Sequence, residues 1–174
     1  MNGVAAELTR CVLEREDKVR ILDADALNII AAEHIDYKGS SEGKIIITPH
    51  IMEMSRLTGK TVADIKEHMI ESAKEYAIQH SCICILKDAR TVVTDGQKVY
   101  INCTGNDGMS TGGCGDVLTG LIAGMTAMGL DAFEAACLSV YVHGKAGDYA
   151  AAGKGRAGMT AADISEAIAY VLKR

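Results

Sequence analysis

From Thr104 to Asp116 the chain reads Thr-Gly-Asn-Asp-Gly-Met-Ser-Thr-Gly-Gly-Cys-Gly-Asp and runs straight into the apolar segment Val-Leu-Thr-Gly-Leu-Ile. Glycines packed before a helix let backbone N–H groups turn toward an anion with no Cβ in the way. The helix start adds partial positive charge. Gly112, Gly113, Cys114 and Gly115 therefore form a candidate anion hole, suited to a phosphate that gains charge during transfer. Asp116 sits where this cradle meets the helix. A carboxylate there can take the proton of a hydroxyl as it attacks phosphorus, a reaction that needs mainly positioning and charge stabilisation. An N-capping Asp after a glycine turn is the plainer reading. A cap alone does not call for three glycines in four positions. The run lacks the Lys-Ser/Thr ending of a P-loop, so it is a different kind of phosphate cradle.

The elements that must hold this loop alternate between strand and helix. Residues 3–15 show helical spacing, with Val4, Leu8 and Val12 on one stripe. Val19–Leu22, Lys44–Thr48 and Cys82–Leu86 are short apolar runs of strand length. Asp25 is placed to cap a helix through Ala26–Ile30, and Pro49 stands near the start of a helix over Met52–Leu57 that Gly59 ends. Thr61 and Asp64 have the spacing of a capping box for one long helix to Gln79. Thr91–Thr94 and Lys98–Ile101 flank Asp95-Gly96, a strong hairpin signal. Helices over about 116–128, 132–151 and 161–172 complete the chain. Apolar strands alternating with helices predict an α/β fold with a mostly parallel sheet, in one domain over residues 1–174.

Composition narrows the function. A net charge of −5 lacks the basic face of a sequence-independent nucleic-acid binder. The six cysteines (Cys11, Cys82, Cys84, Cys103, Cys114 and Cys137) form no C-x-x-C pair and no Cys/His cluster of zinc spacing. No dedicated metal site is expected. Cys82 and Cys84 share one face of a strand and read as small buried hydrophobes. Cys114, at a helix start, is expected to have a lowered thiol pKa and to be sensitive to oxidation. His143 lies in an apolar helix and reads as a core or interface residue. With no signal peptide and no bilayer-spanning run, a cytoplasmic protein is expected.

The run from Thr104 through Gly120 resembles the signature of the ADP/ATP-dependent NAD(P)H-hydrate dehydratase family, in the ribokinase-like superfamily. Three further stretches are similar in order and spacing: Leu22–Asn28; Thr48-Pro49-His50 with Glu53, Met54 and Leu57; and Phe133–Ala136 leading to His143-Gly144, Ala146, Gly147 and Asp148. The resemblance runs from about residue 18 to the end. It implies a three-layer ribokinase-like (Rossmann-like) fold that is missing its N-terminal strands. It implies dehydration of hydrated NADH or NADPH with ADP or ATP as co-substrate and Mg²⁺ carried by the nucleotide. It makes Asp116 the catalytic base and a substrate contact, and His50, Asp25 and Asn28 substrate contacts. His50 also follows an apolar strand, at an edge of the sheet where ligands bind. It assigns the nucleotide to Lys87, Asp88, Ala89, Arg90 and Thr91, with Gly115. Asp88 replaces a glycine usual in the family, which bears on the local backbone path.

The resemblance also implies an upstream strand and glycine-rich turn that this chain lacks, and so a truncated domain. An incomplete sheet and the family's symmetric assembly lead to the expectation of a homo-oligomer. An NAD(P)HX epimerase, fused upstream in some relatives, is a possible domain or partner. Two alternatives use the same Asp116 site: a ribokinase-like kinase for a sugar or vitamin precursor, and an inactive nucleotide-binding remnant.

Overall fold

The computed structural model describes residues 3–40 and 44–173, which divide into two compact units. The first holds residues up to 88 together with 92–100. Its elements are α1 (Gly3–Leu13), β1 (Arg20–Leu22), α2 (Asp25–Glu33), β2 (Ile45–Ile47), α3 (Ile51–Thr58), α4 (Val62–Glu67), α5 (Met69–His80), β3 (Ile83–Leu86), β4 (Val92–Thr94) and β5 (Val99–Ile101). The five strands form one sheet in the order β1-β2-β3-β4-β5. β1, β2 and β3 are parallel, with Ile21 opposite Ile46 and Ile47 opposite Cys84. β4 then pairs antiparallel with β3, Val93 opposite Ile85.

Burial explains the composition of these strands. Ile45, Ile46 and Ile47 are all buried, as are Ile83 to Leu86, so both faces of β2 and β3 are covered and every position is apolar. The edge strand β5 is partly exposed. Leu22, Leu27, Ile30, Met54, Ile65 and Leu86 belong to the core of this unit. The hydroxyls of Tyr37 and Tyr76 meet there at 3.1 Å, and burial raises both phenol pKa values above their ordinary range. Cys82 and Cys84 lie in the same core as expected. Burial pushes the Cys82 thiol up to about 12 and the Cys84 thiol well above its ordinary value.

Three local features are set by the tertiary structure, the second and third against expectation. The apolar stripe of α1 faces outward: Val4, Leu8 and Val12 are exposed, and Ala6 and Thr9 are the buried positions. The helix is fastened through polar groups instead. Arg10 pairs with Glu33 at 2.5 Å, and the buried Arg20 guanidinium donates to the Leu13 carbonyl at the helix end. Second, the helix from Thr61 is not continuous. His68 leaves helical geometry (φ −125°, ψ 50°), closing α4 and opening α5. Third, Asp25 caps nothing, because it already lies inside α2; residue 24 is the N-cap.

The second unit holds residues 89–91 and 101–173: a 3₁₀ turn (Asp107–Met109), α6 (Cys114–Ala127), α7 (Ala132–Lys154) and α8 (Ala161–Val171). Cys114, Ala146, Ala150, Met159, Ile164 and Ala167 form a core among these helices. Buried His143 lies on α7. Thr160 and Asp163 make a capping box on α8, and Lys154 Nζ donates to Asp163 at 2.5 Å. The Lys154 hydrogen bond, with those from Thr160, lowers the Asp163 pKa to about 2. A depressed carboxylate contributes stability above its unfolded pKa, and this is lost as pH falls through the folded value. The melting-temperature advantage of the unmutated chain over Asp163→Asn should therefore shrink between about pH 5 and about pH 2. A pH-independent offset would contradict this.

Candidate functional site

The three parallel strands of the first unit end in polar side chains at their C-terminal edge, where open α/β sheets bind ligands. Asp23 follows β1, His50 follows β2 and Lys87 follows β3. The His50 and Lys87 backbones are bridged in parallel, with Lys87 N–H donating to Pro49 O at 2.8 Å. Lys87 Nζ donates to Asp23 Oδ1 at 3.0 Å, so this ammonium is already paired with a carboxylate within the chain.

Asp23 Oδ1 also accepts Ala24 N–H at 2.9 Å. Ala24 has φ 49° and ψ −115°, a backbone conformation that costs an L residue energy unless its surroundings enforce it. The surroundings here are specific. Asn28 Nδ2 donates to Ala24 O at 3.2 Å, and Arg56 Nη1 donates to Asn28 Oδ1 at 2.7 Å. Asn28, which the resemblance implies as a substrate contact, thus also holds the Ala24 turn. Asp25 is exposed beside it, its carboxylate without a hydrogen bond among the described residues.

His50 opens α3 as its N-cap. Its Nδ1 accepts Glu53 N–H at 3.1 Å, while its own N–H donates to Glu53 Oε2 at 2.8 Å. Glu53 is buried and the His50 side chain is half exposed. Asp88 has no positive φ, so the residue standing where the family usually has glycine sits in ordinary backbone geometry. Ala89 and Arg90 are exposed and Thr91 is half-buried.

In the second unit the glycine loop reaches the start of α6. The N-cap is Gly113 at φ 89°, and no side chain caps this end. A Cβ at Gly113 would need that left-handed φ and would stand 3.1 Å from Ala161 Cβ, which accounts for glycine here. A Cβ at Gly112 would meet nothing within 4 Å, so this side of the loop is open. Among the described residues no acceptor takes the N–H groups of Gly115 or Asp116. The Asp116 carboxylate, exposed in the first turn, makes no hydrogen bond or ion pair there either. The simple capping role for Asp116 is thereby removed.

The loop before this cradle is tied to α7. Asp148 accepts Gly105 N–H and Asn106 Nδ2, both at 3.1 Å, and Asn106 Oδ1 accepts Gly108 N–H at 3.1 Å. The contact is close because α7 carries glycine beneath it: a Cβ at Gly147 would come within 2.3 Å of Met109 Sδ.

Cys114 corrects its expectation. Its side chain turns into the helix core, and burial raises the thiol pKa, against a smaller lowering by the Thr111 backbone. Thiol labelling should proceed first at the exposed Cys11 and Cys103 and slowly at Cys114, at the same rate with and without ADP. Fast Cys114 labelling that ADP slows would restore the original expectation.

Asp23, Glu53, Arg56, Asn106 and Asp148 frame these sites and carry no sequence-based role. Glu53 was findable, since it stands three residues after the cap as in a capping box, with His in place of Ser or Thr. Asp148 ends one of the family-like stretches, but its role had no local signal, because its partners lie 42 and 43 residues away. Among the described residues, no three His, Cys, Asp or Glu side chains cluster as metal ligands.

Comparison with known proteins bears on both units. A family model described as NAD(P)H-hydrate dehydratase matches residues 2–170. The chain is 46% identical over 169 residues to a bifunctional NAD(P)H-hydrate repair enzyme of Moorella thermoacetica, covering 96% of this chain and 32% of that protein. It is 34% identical over 171 residues to the ADP-dependent (S)-NAD(P)H-hydrate dehydratase of Neisseria meningitidis, covering 96% and 57%. Among solved structures it resembles the ADP/ATP-dependent NAD(P)H-hydrate dehydratase from Bacillus subtilis co-crystallised with ATP and Mg²⁺. The TM-score is 0.81 at 33% identity, over 92% of this chain and 56% of that one. A ribokinase-like superfamily protein from Enterococcus faecalis matches with TM-score 0.85 at 25% identity, over 98% and 59%. The chain therefore spans between 32% and 59% of the length of these relatives. On the family match across residues 2–170, and on relatives above 30% identity, this chain belongs to the NAD(P)H-hydrate dehydratase family, with a ribokinase-like fold.

Proposed function

We propose that the chain dehydrates hydrated NADH or NADPH at the expense of ADP or ATP. The terminal phosphoryl group of the nucleotide passes to the hydroxyl on the nicotinamide ring, and the Asp116 carboxylate takes the hydroxyl proton. The ring-nitrogen lone pair then expels phosphate to leave an iminium, and loss of a proton from the adjacent ring carbon to solvent restores the ring double bond. The balance is hydrated NADH plus ATP to NADH, ADP and phosphate; with ADP the products are NADH, AMP and phosphate.

The observation that carries this reading is the start of α6. An uncapped helix N-terminus, open at Gly112, carries an unpartnered carboxylate in its first turn. Free N–H groups from Gly115 and Asp116 suit the phosphate oxygens. Mg²⁺ enters on the nucleotide's own phosphates and offsets their charge. Lys87 to Thr91 contribute to the nucleotide site, and His50, Asp25 and Asn28 to the dinucleotide site. The same reading has the reaction in the cytoplasm. It includes a homo-oligomer, supported by the exposed Val4 and Leu8 of α1, and an NAD(P)HX epimerase as fused domain or partner.

The test is regained NADH absorbance when the purified 174-residue chain meets hydrated NADH with ADP or ATP. Turnover with one phosphate released per NADH supports the proposal. A stable phosphorylated product would mark a kinase, and ADP binding without either product would mark a nucleotide-binding remnant.

A further inference from the structure

We infer that His50 serves as a fixed hydrogen-bond donor through Nε2–H, held so by Glu53, and that it is not the base of the reaction; this rests on the dehydratase reading. The backbone N–H of Glu53 can only donate, and it points at His50 Nδ1 at 3.1 Å. Nδ1 must therefore offer its lone pair. In neutral imidazole one nitrogen accepts and the other carries the proton, which puts the proton on Nε2. A second contact agrees. Glu53 Oε1 stands 3.5 Å from Nε2 without a hydrogen bond to it, so its negative charge favours a proton on Nε2 and leaves that N–H free. Glu53 is itself fixed, 5% exposed and accepting His50 N–H through Oε2 at 2.8 Å.

The consequence is chemical. The one lone pair of the neutral ring is committed to the first turn of α3. To take a proton from a substrate hydroxyl, His50 would have to give up the bond that caps the helix. Nε2–H lies on a side chain 50% exposed, at the edge of the sheet, and is available to a substrate oxygen. Donation there orients the substrate, and the proton-accepting role falls to a carboxylate.

The tautomer can be observed without any ligand. Long-range ¹H–¹⁵N correlation spectra of the ¹⁵N-labelled full chain, with His50 identified by its absence in His50→Asn, should show Nε2 protonated and Nδ1 bare. An Nδ1–H pattern overturns the inference. His50→Asn keeps a side-chain oxygen for Glu53 N–H, so α3 retains its cap. With hydrated NADH and ADP, KM for the dinucleotide should rise about tenfold, with kcat changed less. A kcat loss of about a hundredfold or more at unchanged KM would make His50 a base and also overturn the inference. Absence of turnover in the unmutated chain would instead count against the dehydratase reading, and the spectrum would still decide the His50 tautomer.

Discussion

Asp116→Asn should lower the turnover of hydrated NADH by about 10²- to 10⁴-fold, the usual contribution of a positioned base. The substitution keeps the shape of the side chain and removes its capacity to accept a proton. Nothing else in the described structure depends on this carboxylate, which bonds to no neighbour and caps no helix. Stability should accordingly change little. The loss of a first-turn negative charge costs about 0.3–1 kcal/mol at an exposed site. Affinity for ADP should hold or tighten, since a like charge beside the phosphates is removed. Turnover by absorbance, ADP titration by calorimetry and a thermal melt separate these three quantities. If the variant keeps a tenth or more of its turnover, Asp116 is not the base. If it loses ADP binding as well, Asp116 acts in holding the nucleotide.

Exchange of the residues at 106 and 148 should cost heavily one at a time and little together. In the native arrangement three hydrogen bonds close a small network, each 3.1 Å: Gly105 N–H and Asn106 Nδ2 to Asp148, and Gly108 N–H to Asn106 Oδ1. Asp148→Asn sets one amide NH₂ against another or abandons Gly105. Asn106→Asp sets two carboxylates at hydrogen-bonding distance, where like charges repel. Each single change should cost about 1 kcal/mol or more of stability, because a part-buried donor or acceptor is left without its partner. Each should also weaken ADP binding, because this loop leads directly into the cradle at Gly112 to Gly115. In the double exchange the carboxylate, now at position 106, would accept from Gly108 N–H and from the amide NH₂ at position 148. The amide oxygen at position 148 would in turn accept Gly105 N–H. All three bonds return, with the one between the two side chains reversed in direction. Chemical denaturation of the four proteins gives the coupling energy, expected at about 1–3 kcal/mol in favour of the pair. Additive losses would mean that the three contacts do not act as a unit.

Several features of this chain were legible because they are local. The helix endings at Gly59 and at residue 129, the hairpin around Asp95-Gly96 and the cap at Thr61 follow from φ preferences and side-chain bonds spanning two to four residues. Continuous apolar runs marked β2 and β3 as buried strands. The glycine cradle and Asp116 stood out for the same reason, since the backbone path and the helix start are adjacent in sequence.

What failed to be legible was direction and partnership. The spacing of Val4, Leu8 and Val12 defines a stripe, but the stripe itself carries no information on which side meets the core; here Ala6 and Thr9 do. Cys114 lies at a helix start that would lower a thiol pKa, yet it packs into the core of α6, α7 and α8, and burial outweighs the lowering by the Thr111 backbone. That Lys87 pairs with Asp23, 64 residues earlier, left no mark in the sequence around either residue. That the Asn28 amide meets Arg56 and the Ala24 carbonyl was likewise not legible. By itself, then, the amino-acid sequence determined the α/β class, the strands that are buried, the cradle and the carboxylate beside it, because each depends on near neighbours along the chain. Which charges are paired, which nitrogen of His50 is left to donate and which thiol is sheltered were decided only by tertiary structure, because each depends on groups brought together across the fold or across a helix turn.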